Sequence, residues 1–71
     1  MEHNVAKEIT ELMLKINREI NNSLFIVQKS SDEVSYGRYK AAAANIMGEI
    51  LIEILNPIFK QYPDLIPDGL K

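Results

Sequence analysis

The sequence predicts an all-α fold: an antiparallel two-helix hairpin with a short third helix and an irregular C-terminal tail, dimerising into a four-helix bundle. Three observations carry this expectation. Apolar residues in the first part of the chain recur at spacings of three and four. The stretch from Tyr39 to Leu55, YKAAAANIMGEILIEIL, is the most apolar of the chain and is apolar around most of a helical wheel. Between the two lies a short polar link, Lys29 to Asp32, which has room only for a reversal of direction.

The first helix is predicted over about 4–29, with Asn4 as a good N-cap. Val5, Ile9, Leu12, Met13, Ile16, Ile20, Leu24 and Val27 form one stripe, and the opposite face carries Lys7, Glu8, Glu11, Lys15, Arg18 and Asn22. Glu11 and Lys15, four apart in the favourable order, add a few tenths of a kcal/mol. Such a helix is buried on one side. Leu14, Phe25 and Ile26 point away from the stripe, and Phe25 and Ile26 are placed to meet another chain or the tail. Asn21, Asn22 and Ser23 are weak helix formers in a row. They either bend the helix or end it, and the unbroken three/four spacing favours a single helix.

In the link, Ser30 and Glu33 have capping-box spacing and Asp32 places negative charge at a helix N-terminus. The second helix is therefore expected over about 31–55. On its wheel Tyr36, Tyr39, Ala43, Ile46, Met47, Ile50 and Ile54 fall on one flank. Gly37, Ala41, Ala44, Gly48, Leu51, Ile52 and Leu55 fall on the adjoining one. Only Arg38, Ala42, Asn45, Glu49 and Glu53 make a narrower polar stripe. An apolar arc of roughly twice the usual 100° calls for cover from two directions. One partner helix cannot supply it.

Asn56-Pro57 admits a kinked continuation or a new short helix capped by Asn56. The second is expected, over about 57–62, because the residue before proline is disfavoured in the α region. Ile58, Phe59 and Tyr62 would then fold over the open end of the hairpin. The tail, 63–71, with two further prolines and a glycine, is expected to be irregular, strapping along the bundle or hanging free as a short linear motif.

The 71 residues make one domain, 1–71, small enough to be marginal alone. There is no cysteine, so no disulfide or thiolate metal site can staple it. A net charge of −2 argues against general nucleic-acid or anionic-membrane binding. MEHNVAKEIT does not read as a signal peptide, and Glu49 and Glu53 interrupt the longest apolar run, so neither a leader nor a membrane span is expected and the location is expected to be cytoplasmic.

Few residues suggest chemistry. The column Gly37, Ala41, Ala44, Gly48 invites close backbone approach, either by the first helix or by a second copy. The expected interface is Tyr36, Gly37, Ala41, Ala44, Met47, Gly48, Ile50, Leu51, Ile54 and Leu55. Glu49 and Glu53 could in principle hold a metal or act as acid and base, but helical di-metal sites use Glu-x-x-His repeats and His3 is the sole histidine. They read as a solvated stripe. Tyr36-Gly37-Arg38-Tyr39-Lys40 resembles a small stacking surface for single strands, yet both tyrosines fall on an apolar flank. No catalytic, cofactor or metal site is expected.

Three classes of function follow. The leading one is a non-enzymatic interaction module or regulator working as a homodimer. The second is a partner subunit, such as an antitoxin, immunity or chaperone-like factor, whose apolar flank is covered by a different protein. The third is an enzyme or ligand carrier with a pocket lined by Tyr36, Tyr39 and Met47.

Overall fold

A computed structural model describes residues 1–70. Helix α1 spans His3–Ser30, α2 spans Glu33–Glu49, a π-helical segment spans Ile50–Leu55, and α3 spans Asn56–Gln61. Two 3₁₀ turns, Pro63–Leu65 and Asp68–Leu70, complete the described chain, which contains no strand. The two long helices are antiparallel, as the two-residue link requires. The predicted tail reaches Lys71, which lies outside the described residues.

Helix α1 runs through Asn21–Ser23 without a break. Ser23 hands its hydroxyl proton to the Ile20 carbonyl at 2.5 Å, an internal bond that keeps a weak helix former in place. The turn departs from expectation. α1 continues to Ser30, and the cap of α2 is Asp32, whose carboxylate accepts the Ser35 backbone N–H at 2.7 Å. Ser30 cannot cap a helix while it is still the last residue of the preceding one. The Ser35 bond holds the Asp32 carboxyl below its ordinary value of 3.8.

The expected break at Asn56 does not occur. Asn56 is helical (φ −59°, ψ −44°), and helix runs continuously from Glu33 to Gln61. What changes is the winding. The Asn56 N–H bonds to the Leu51 carbonyl, five residues back. A widened turn is how a helix makes room for a proline ring that would otherwise meet the carbonyl four residues earlier.

That extra residue in the turn sets back every later side chain by about 100°. Leu55, which a regular wheel groups with the small-residue column, is turned inward and is 1% exposed. Ile58 and Phe59 join it, and with Ala6 they form the buried core. Ile9, Met13, Leu14, Ile50, Tyr62, Leu65 and Ile66 pack around it. The core therefore sits at the end of the hairpin where the N-terminus, α3 and the tail meet.

The tail straps this end. Tyr62 donates its hydroxyl to the Met1 carbonyl at 2.6 Å, and His3 Nε2 lies 2.7 Å from an Asp64 carboxylate oxygen. The His3 ring meets the Tyr62 ring edge-on at 5.0 Å.

Towards the turn the hairpin is two helices and nothing else. Ala43 is buried there, between half-buried Tyr36 and Met47. The inward face of α1 is Ala6, Thr10, Met13 and Asn17, rotated by roughly 60° from the apolar stripe. Small residues at the seam let the helices close up, and the large stripe residues are left at its edge. Thr10 Oγ1 and Asn17 Oδ1 are buried without hydrogen-bond partners, each forfeiting about 1–3 kcal/mol.

Candidate interaction surfaces

One hydrogen bond fixes which flanks of α1 and α2 share a face. Ser23 Oγ and Tyr39 Oη are 2.6 Å apart. Because Ser23 gives its own proton to Ile20, Tyr39 is the donor. Ser23 stands about five full turns from Val5, in line with Leu12 and Ile16. Tyr39 stands in line with Ile46 and Ile50, and the π turn brings Ile54 onto the same line. Both lines therefore lie on one side of the hairpin, which we call the hydroxyl face.

This face is apolar on both helices and largely open. Val5 is 43%, Leu12 47%, Ile46 54% and Ile54 37% exposed, with Ile9, Ile16 and Ile50 half-buried behind them. An open furrow of about 530 Å³ runs along it, between the row Asn45, Glu49, Glu53 and the row Ile46, Ile50, Ile54.

The opposite side differs. There one open depression lies between the tail and Lys7, Thr10, Glu11 and Leu14 of α1, another lies between the tail and Leu51, Asn56 and Phe59, and Ile66 borders both. The α1 flank on this side carries Lys7, Glu11 and Arg18, with exposed Phe25 among them. The small-residue column lies on this side too, and Gly37, Ala41 and Ala44 are exposed while Gly48 is half-buried. A Cβ added at Gly37 or Gly48 would meet nothing within 4 Å. The column is thus not the seam against α1.

Of the other expected interface residues, Tyr36, Met47 and Ile50 are half-buried at the hairpin seam, Leu55 is core, and Leu51 (39%) and Ile54 remain exposed. Val5, Leu12 and Ile46 were not among them. Their signal was present, since Val5 and Leu12 belong to the α1 stripe, but the rotation of that stripe away from the seam is not written in its spacing.

Glu49 and Glu53 are both exposed at the rim of the furrow. No group of three or more metal-ligating side chains occurs among the described residues. Tyr39 is bonded to Ser23 through its hydroxyl and its side chain is exposed, whereas Tyr36 is half-buried. By length and composition alone, the continuous helix Glu33–Gln61 is long and apolar enough to cross a membrane. Counting only uninterrupted apolar runs does not reveal this.

The chain exposes 5332 Å², whereas a compact monomer of its 8.1 kDa mass exposes about 4,500 Å². Its Cα radius of gyration is 14.4 Å within an envelope of 44 × 20 × 16 Å, against about 11 Å for a compact domain of this length. The excess, about 800 Å², equals one partner's share of a standard protein interface.

Comparison with protein families, with curated proteins and with solved structures gives no match.

Proposed function

We propose that this chain is a non-enzymatic interaction module that works as a homodimer, two hairpins forming a four-helix bundle. The observation that carries the reading is the set of large apolar side chains left exposed along both helices, Val5, Leu12, Ile46 and Ile54 among them, on a chain that exposes about 800 Å² more than a compact monomer. A patch of that kind on a small domain marks a protein contact. Two-fold pairing of identical chains is the commonest way to cover one.

A lipid surface is a poorer occupant. Glu49 and Glu53 lie near the midpoint of the Glu33–Gln61 helix, and each carboxylate at a bilayer centre costs about 3 kcal/mol. At a protein interface the same two residues form a solvated rim at no such cost.

The second reading, a subunit covered by a different protein, draws on the same exposed residues. Sedimentation equilibrium with circular dichroism at each concentration separates the two. The homodimer reading expects a helical dimer that persists on dilution. The partner-subunit reading expects a monomer with low or readily melted helicity.

A further inference from the structure

We infer that a second copy of this chain docks on the hydroxyl face, where Val5, Leu12 and Ile16 of α1 lie beside Ile46, Ile50 and Ile54 of α2. This rests on the self-association reading and assigns the surface it uses. Three observations select this face over the side that bears the small-residue column. It is apolar across both helices, so a second hairpin laid on it gives every helix two neighbours, the arrangement of a four-helix bundle. The other side pairs its column with an α1 flank on which Lys7, Glu11 and Arg18 surround a single exposed aromatic, Phe25, and the tail lies along one end of it. Charges border the hydroxyl face without entering it, with Glu8, Lys15 and Glu19 beside the α1 line and Glu49 and Glu53 beside the α2 line. An apolar centre with a polar rim is the anatomy of a specific interface. The chain as a whole exposes about 800 Å² more than a compact monomer of its mass, as much as one partner contributes to a stable dimer.

The test compares sedimentation equilibrium of the unmodified chain with that of Ile46→Glu and Ala44→Glu. Both substitutions fall on exposed positions of the same helix, but on opposite flanks. The docking face predicts that Ile46→Glu raises the dimer dissociation constant about thirtyfold or more, while Ala44→Glu leaves it unchanged. Maleimide labelling of Ile46→Cys and Ala44→Cys provides a second reading that tolerates a poorly folded glutamate variant, and the chain has no native cysteine to interfere. Labelling at 46 should slow about tenfold from dilute to concentrated protein, with labelling at 44 constant. A dimer that survives Ile46→Glu and leaves the Ile46→Cys variant freely labelled, or that protects the Ala44→Cys variant instead, overturns the assignment of the face and leaves self-association standing. An unmodified chain that stays monomeric, whether or not it sediments with phosphatidylcholine–phosphatidylglycerol vesicles, overturns both.

Discussion

Tyr39 donates its phenolic hydrogen to Ser23 at 2.6 Å, and Ser23 in turn donates to the Ile20 carbonyl one helical turn back. This relay crosses the hairpin seam near its turn, where few apolar side chains are buried. It sets the register of the two helices and defines which of their flanks face the same way.

Breaking the relay should therefore loosen the turn end of the hairpin. Tyr39→Phe and Ser23→Ala are each expected to cost about 0.5–1.5 kcal/mol, the usual net worth of one hydrogen bond. In a double-mutant cycle by urea denaturation the second substitution should cost little once the first is made. Full additivity would mean that the bond contributes nothing.

The core end behaves differently. Leu55 is the largest fully buried side chain and meets Ile58, Phe59 and Ala6. Leu55→Ala should destabilise by about 2–5 kcal/mol, enough to unfold most molecules of so small a domain. Thermal melting followed at 222 nm checks it, and a melting temperature within a few degrees of the unmodified chain would count against this core.

Glycine 48 offers a test with the opposite sign. It sits in helix, with open space where a Cβ would stand. Gly48→Ala should stabilise by about 1 kcal/mol from helix propensity alone. If a second backbone packed closely against this column, the same substitution would weaken association, which a concentration series of melting curves would reveal.

The cap of α2 sets a pH dependence. The Ser35 N–H lowers the Asp32 carboxyl in the folded chain relative to its ordinary 3.8, so folding binds the ionised form more strongly. The stabilisation is fully present above the ordinary value and is lost as pH falls through the lower folded one. The protection of the Val34–Tyr36 amides, measured as exchange relative to the intrinsic rate at each pH, should fall as the carboxyl is protonated, and Asp32→Asn should flatten that dependence because its amide oxygen still caps.

Much of the architecture was legible in the sequence because it is written in periodicity. The three/four stripe marked α1 through its weak Asn-Asn-Ser patch, and the short polar link dictated an antiparallel hairpin. The misreadings have two physical sources. A wheel assumes uniform winding, so the π turn before Pro57 was invisible, and Leu55 was grouped with Gly48 although the structure turns it into the core. The wheel also centres a helix on its largest apolar residues, whereas the seam of α1 is lined by Ala6 and Thr10 because close approach favours small side chains. Val5 and Leu12 were therefore expected to be covered, and they are not. Of the expected interface residues, Ile50 and Ile54 stand as neighbours on one flank. Ile46 lies outside that expected set, and its place beside the α1 line depends on the Tyr39–Ser23 register that no single-helix pattern contains.

On the proposed reading, the apolar surface left open by one hairpin is covered by a second. Sedimentation equilibrium of the unmodified chain, from micromolar to millimolar concentration with helicity recorded at each point, addresses it most directly. Pairing of two hairpins predicts a helical species of twice the 8.1 kDa chain mass that dissociates only on strong dilution. A species of single-chain mass throughout that range would contradict it.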